Sequence, residues 1–169
     1  TGPMMAKAVE DTAFYRYHRL ISLNEVGGDP TSFGSSVEHF HRQNIRRRET
    51  HPYSLLATST HDTKRSEDVR ARINVLSEIP SAWRTRVFRW TRWNKRYKTP
   101  VDGEAAPNRN DEYLLYQTLL GTWPGDLADG DLRTEFRQRI EQYMLKAVRE
   151  AKTHSSWVAP DEAYEHALR

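Results

Sequence analysis

Residues 132–152 read Leu-Arg-Thr-Glu-Phe-Arg-Gln-Arg-Ile-Glu-Gln-Tyr-Met-Leu-Lys-Ala-Val-Arg-Glu-Ala-Lys, from Leu132 to Lys152. Leu132, Phe136, Ile140, Tyr143 and Ala147 follow one another at steps of four, four, three and four. At 3.6 residues per turn those steps keep them on one face. The stretch holds neither Gly nor Pro, so it predicts a long amphipathic helix.

The same period recurs on both sides. Met4 to Leu23 predicts a helix with Val9, Ala13, Tyr17 and Leu20 on one stripe and Pro3 in its first turn, ended by Gly27-Gly28-Asp29-Pro30. Val37, Phe40 and Ile45 mark a shorter helix closing before Pro52. Val69, Ile73 and Leu76 mark a third, entered through polar Thr63–Asp68 and stopped by Pro80. Trp83, Val87, Trp90 and Tyr97 stripe a fourth, and Tyr113, Tyr116, Leu119 and Leu120 a fifth that ends at Gly121. Thr99–Arg109 reads as a loop, Trp123–Asp126 as a turn, and Asp161–Ala167 as a short last helix. The expected fold class is mainly α: an irregular array of about six helices with at most one short strand.

That strand is Tyr53-Ser-Leu-Leu-Ala-Thr58, an apolar run bounded by Pro52 and a Ser/Thr cluster. One strand cannot make a sheet. Either it pairs with something outside this chain or it lies extended. The opening Thr1-Gly2-Pro3-Met4 lacks an initiator methionine and any signal sequence, so a piece of a longer protein is expected.

The 169 residues suit one domain with a real core. A mean hydropathy of -0.87 and short apolar runs argue against a transmembrane helix. The absence of cysteine excludes disulfides and thiolate chemistry and suits a reducing compartment, the cytoplasm. The net charge is +3. Its excess is local: Arg84, Arg86, Arg89, Arg92, Lys95, Arg96 and Lys98 lie between Ile79 and Val101 with no acid, and Arg46-Arg47-Arg48 forms a second cluster. Interleaved with Trp83, Trp90, Trp93 and Tyr97, these invite an alternative reading as an arginine-rich helical module binding nucleic acid. Aromatic stripes at helical spacing more often face a core, with arginine stems lying over tryptophan.

The densest run of reactive side chains is Ser59-Thr60-His61-Asp62-Thr63-Lys64-Arg65-Ser66-Glu67-Asp68, directly after the strand candidate. A carboxylate beside an imidazole can grip adjacent sugar hydroxyls, and Lys64 and Arg65 can hold the carboxylate ionised or contact substrate. On composition alone a plainer reading is favoured: a charged helix N-terminus capped by Asp62 or Thr63. Glu10-Asp11 and Asn24-Glu25 read as solvated helix residues. His39-x-His41 puts its rings about 200° apart on a helix, which does not suit a shared metal. Gly27-Gly28 lacks a phosphate-loop frame.

Taken together, five segments resemble one family. They are Gly2–Tyr17, Leu23–Pro30, Ala57–Arg72 with its run Thr-His-Asp-Thr-Lys-Arg-Ser-Glu-Asp-Val-Arg-Ala-Arg, Asn110–Gly121, and Lys146–Lys152 followed by Ser156-Trp157. The family is maltooligosyl trehalose synthase, (1→4)-α-D-glucan 1-α-D-glucosylmutase, among the α-amylase-like glycoside hydrolases. The resemblance implies a parent with a (β/α)8-barrel catalytic domain and helical insertions. It implies one helical domain over 1–169, with 1–78 associated with the barrel and 79–169 belonging to an insertion. The implied substrate is a maltooligosaccharide, with no cofactor, no metal, no nucleic acid and no membrane partner. Asp62 is the implied transition-state-stabilising carboxylate and His61 a hydrogen-bond partner to the same sugar. Lys64 and Arg65 are implied substrate-binding residues. Nothing here matches the segments carrying the nucleophile and the acid/base, so the chain alone is expected to be inactive. This reading predicts no retention of the chain on heparin at physiological salt. A salt-dependent retention whose slope counts phosphate contacts would favour the nucleic-acid module instead.

Overall fold

A computed structural model describes residues 2–125 and 129–169. Thr1 and Asp126, the last residue of the expected Trp123–Asp126 turn, lie outside the described residues.

The chain is mainly helical, as the periodicity predicts. Its elements are α1 (Gly2–Met5), α2 (Val37–Thr50), α3 (Glu67–Asn74), α4 (Pro80–Asn94), β1 (Thr99–Val101), β2 (Glu104–Ala106), α5 (Arg109–Thr122), α6 (Gly130–Ala151) and α7 (Glu162–His166). Helix starts follow side-chain chemistry. Ser36 Oγ accepts from the His39 N–H, Asn108 Oδ1 from Asp111, and Asp161 Oδ1 from Tyr164. Asp129 Oδ1 accepts from the N–H groups of both Asp131 and Leu132. Pro80 ends one helix and also opens α4, where its missing N–H costs nothing. Helix α6 stops at Lys152, whose φ of 54° is left-handed.

Three expectations are corrected. The stripe from Met4 to Leu23 is not one helix. After α1 the backbone loosens into a π turn at Ala6–Glu10, then makes only short 3₁₀ turns at Ala13–Tyr15 and Ile21–Leu23. The buried residues are Phe14, Tyr15, His18, Leu20, Ile21, Ser22 and Asn24, which share no helical face, while Ala13 and Tyr17 point outward. Long-range hydrogen bonds replace the helical ladder. Gln117, fully buried in α5, donates to the His18 carbonyl at 2.8 Å and accepts from the Ile21 N–H at 3.0 Å. Asn24 Nδ2 donates to the carbonyls of Phe14 and Tyr17 at 2.8 and 2.7 Å. Asn110 Nδ2 holds the Arg16 carbonyl at 3.0 Å.

The second correction is Thr99–Arg109. Its first half is an antiparallel hairpin, with Thr99 opposite Ala106 and Val101 opposite Glu104, and α5 begins at Arg109. Asp102 and Gly103 carry φ values of 49° and 83°, the two left-handed residues that a tight hairpin turn needs. The third is the strand candidate Tyr53–Thr58, which forms no strand among the described residues: Tyr53 lies in a turn that the Ser54 N–H closes on the His51 carbonyl at 3.2 Å, and no other segment pairs with the run.

The core joins Tyr15, Leu20 and Ile21 to Ile73 and Leu76, Trp83, Leu114 and Tyr116, and Met144, Ala147 and Ala151. Helices α3 and α5 meet at Gly121, where an added Cβ would lie 2.9 Å from side-chain atoms of Ile73 and Val69. The aromatic stripe of α4 splits. Trp83 is buried, donates to the Tyr113 hydroxyl at 3.0 Å and meets Trp90 edge-on. The helix tightens at Lys95–Tyr97, which leaves Trp93 and Tyr97 exposed beneath the guanidinium groups of Arg89 and Arg96. At the C-terminal end Arg149 grips Glu165 through two bonds of 2.7 and 2.6 Å, holding that carboxyl below the usual carboxylate range. Tyr164 donates to buried Asp111 at 2.6 Å. No described helix is long and apolar enough to cross a membrane.

Two stability predictions follow from the N-terminal segment. Gln117→Met keeps the volume but orphans the His18 carbonyl and the Ile21 N–H, costing about 1–3 kcal/mol for each group. Urea unfolding checks this against Gln43→Met on exposed α2, expected to change stability by less than about 0.5 kcal/mol. His18 is held below its ordinary value chiefly by burial, and its Nε2 has no partner among the described residues. The unfolded chain therefore takes the proton more readily. The stabilisation is full above the ordinary histidine value of about 6.5 and is lost as pH falls below it toward the depressed value in the fold. The denaturation midpoint is expected to drop between pH 7.5 and 5 more in the native chain than in His18→Gln.

Candidate active-site loop

The loop before α3 is built from its backbone. Thr60 and Thr63 close a small turn, in which the Thr63 hydroxyl donates to the Thr60 carbonyl at 2.8 Å and the Asp62 N–H reaches Thr60 Oγ1 at 3.3 Å. The next two residues are clamped by a distant carboxylate. Glu25 accepts the Lys64 N–H at 2.7 Å on one oxygen and the Arg65 N–H at 3.2 Å on the other. A carboxylate bridging adjacent N–H groups makes charge-assisted bonds, stronger than neutral ones.

The side chains at these positions tie the loop down further. Lys64 Nζ pairs with Asp11 at 3.0 Å, and Lys7 pairs with the other Asp11 oxygen at 2.5 Å. Lys7 first, then Lys64, holds the Asp11 carboxyl below the usual carboxylate range. The Arg65 guanidinium donates to the Ile21 carbonyl at 3.1 Å and to the Tyr143 hydroxyl at 2.7 Å, joining the N-terminal segment to α6. Burial pushes the nearby Tyr15 hydroxyl up to about 12, so it stays protonated at neutral pH. Beside this cluster a cavity of about 300 Å³ is lined by Lys64, Arg65, Thr118, Phe136, Arg139 and Tyr143.

His61 and Asp62 are different. Their side chains are 92% and 73% exposed, and His61 Nε2 stands 3.6 Å from Asp62 Oδ2, beyond hydrogen-bond reach. The structure thus gathers Lys64 and Arg65 with Glu25, Asp11 and Tyr143, and holds His61 and Asp62 out into solvent. Neither Asp62 nor Thr63 caps α3. Ser66 stands at the cap position, and its hydroxyl donates to Asp68 at 2.5 Å instead of accepting from the helix.

Sequence reasoning missed the anchors. Glu10, Asp11, Asn24 and Glu25 read as solvated helix residues, yet no helix runs through 11–25 and each has a specific partner. Glu10 accepts the Gly27 N–H at 3.1 Å. The available signal was the position of Asn24-Glu25 immediately before the Gly27-Gly28 turn, where a chain reversal aims side chains back at earlier and later segments. His39 and His41 are both exposed on α2, and among the described residues no three His, Asp or Glu side chains group to hold a metal ion.

No family model matches the chain. Over 164 residues, 97% of this chain and 20% of the relative, it is 43% identical to proteins of two Mycobacterium tuberculosis strains named as maltooligosyl trehalose synthases. A solved structure of a Sulfolobus tokodaii protein of that name superposes with a TM-score of 0.81 at 43% identity, covering 97% of this chain and 21% of the other. Maltooligosyltrehalose synthase from Arthrobacter ramosus gives 0.81 at 41% identity, over 99% and 19%. The chain therefore spans about one fifth of the length of the curated relatives it matches. Along nearly its whole length it is homologous, in both sequence and fold, to a stretch of about one fifth of the maltooligosyl trehalose synthases.

Proposed function

We propose that the chain is part of an intramolecular transglycosylase that converts the reducing-end α-1,4 linkage of a maltooligosaccharide into an α,α-1,1 linkage, giving a maltooligosyl trehalose. The observation that carries this reading is the presentation of Asp62. Its loop is pinned through main-chain bonds to Glu25, while its own carboxylate is left exposed, near His61 but accepting no hydrogen bond among the described residues. A fixed, available carboxylate is what an oxocarbenium-like transition state requires.

In this reading the reaction retains configuration in two steps. A nucleophilic aspartate outside this chain attacks the anomeric carbon as the bond to the leaving glucose breaks, and a glutamic acid gives that glucose its proton. The freed glucose turns so that its anomeric hydroxyl faces the glycosyl-enzyme. The glutamate takes the proton back as the new bond forms and the aspartate leaves. Asp62 stabilises positive charge at the anomeric carbon in both steps, and His61 hydrogen-bonds the same sugar. Lys64 reaches the neighbouring subsite where the released glucose is held, and Arg65 is a further substrate-binding residue; their protein contacts also fix the loop. Water has to be excluded for transfer to outrun hydrolysis. We read residues 1–169 as one helical domain, with 1–78 serving the barrel and 79–169 its insertion, in a cytoplasmic enzyme without cofactor or metal.

Asp62→Asn in a full-length enzyme carrying this stretch is expected to lower kcat by more than about tenfold, or about 1.4 kcal/mol of transition-state stabilisation. A smaller fall would remove Asp62 from the catalytic set. The 169-residue chain alone is expected to give no trehalose-capped product from maltohexaose, measured by chromatography of the reaction mixture.

A further inference from the structure

Lys64 is restrained from both ends. Its own N–H and that of Arg65 are held by Glu25 at 2.7 and 3.2 Å, which fixes the backbone on either side of its Cα. Its tip is held as well: Nζ donates to Asp11 Oδ1 at 3.0 Å, and its side chain is only 17% exposed. The path of the loop is already set by Glu25 and by the Arg65 guanidinium. The bond to Asp11 adds something else. It fixes where the ammonium sits, against the large rotamer entropy of a four-carbon stem.

The pairing orients that charge without cancelling it. Lys7 and Lys64 share the one carboxylate of Asp11, so the cluster stays net positive, and the two ammonium groups keep the carboxyl ionised. An ammonium has three N–H donors and no acceptor. One is committed to Asp11, the single bond that Nζ makes among the described residues, which leaves two for hydroxyl oxygens of a bound sugar.

In the reaction proposed above, the glucose freed in the first step has to become the acceptor in the second. Two oxygens then compete for the anomeric carbon of the glycosyl-enzyme: the anomeric oxygen of that glucose and the oxygen of water. With either one, the new C–O bond forms as the ester bond to the nucleophilic aspartate breaks, and the acceptor's proton passes to the glutamate. The products differ. Glucose gives the trehalose-capped chain, whereas water gives a shortened maltooligosaccharide and lets the glucose go free. How well the glucose is held and turned decides between them.

We propose that Asp11 is a positioning residue for this partition: it aims the Lys64 ammonium at the hydroxyls of the freed glucose and so keeps that glucose in place until transfer. The role rests on the reading of Lys64 as the residue that reaches the glucose subsite.

The full-length enzyme carrying this stretch is given maltohexaose, and the molar ratio of trehalose-capped product to free glucose is read by chromatography. Asp11→Asn keeps the size and removes the charge, and is expected to lower the ratio about tenfold, with Lys64→Met lowering it by a similar factor. The double variant is expected within about twofold of Lys64→Met, because Asp11 acts through Lys64. Unfolded molecules make neither product, so a purely structural loss lowers the yield and leaves the ratio alone. Asp129→Ala, which removes the cap of α6, is the control for such a loss and is expected to keep the native ratio. An unchanged ratio in Asp11→Asn overturns the inference, and so does a double variant far below Lys64→Met. If Asp11→Asn does not fold, Asp11→Glu decides. It keeps the charge on an arm one methylene longer, displaces the ammonium and is expected to lower the ratio about threefold, and an unchanged ratio overturns the inference in the same way. An unaltered enzyme that yields no trehalose-capped product overturns the proposed reaction itself. An unaltered enzyme that yields it, with variants that keep its ratio, overturns the positioning role alone.

Discussion

A segment that is buried without being helix or strand has to find a partner for each backbone N–H and C=O, because an orphaned group in the interior costs as much as a lost hydrogen bond. Residues 14–24, with only two short 3₁₀ turns and most of their side chains buried, come close to such a segment, and much of the molecule is arranged to serve them. Gln117 reaches from α5, Asn110 from the start of the same helix, and Arg65 from the loop before α3. Asn24 folds back on the segment itself. In exchange the flanks of the segment supply Glu25 and Asp11, which hold that loop. Core and site are therefore one network, and the apolar contacts of Ile21 with its neighbours depend on polar bonds made at the same residue.

The charge excess resolves along the same lines. The acid-free stretch on α4 is not a uniform cationic face. Arg84, Arg89 and Arg96 lie over Phe88, Trp93 and Tyr97, so their charge sits against aromatic rings on the helix surface. Lys98 turns inward to Glu112 at 2.8 Å, a carboxylate that also accepts from Tyr116. Burial and that bond push the Tyr116 hydroxyl up to about 12.

What the sequence makes legible is whatever depends on neighbours in the chain. Helices α2 to α7 follow from apolar period and terminal Ser, Asn, Asp and Pro residues, all local signals. The Asp102-Gly103 hairpin is equally local, but Pro100, Gly103 and Pro107 in Thr99–Arg109 are also the residues of an irregular loop. The N-terminal stripe failed for a different reason. Val9, Ala13, Tyr17 and Leu20 have helical spacing, but the inward set was decided by Gln117, about a hundred residues away in sequence. The candidate site divides in the same manner. The dense run at 59–68 stands out by composition, whereas its clamp is contributed by Glu25 and Asp11 from sequence positions with no local mark. Tyr53–Thr58 has the composition of a strand, but pairing is a property of two segments and only one is here.

The Glu25 clamp grips the loop by its N–H groups, and an N–H is present on every residue except proline. The path of the loop is thus largely indifferent to which side chains it carries at 61 and 62, whereas the Thr63 hydroxyl closes the turn on the Thr60 carbonyl. A change of side chain at 61 or 62 therefore leaves the backbone that carries it in place, as a tool exchanged in a fixed holder. Selection on what the loop touches is in this way uncoupled from selection on where it sits.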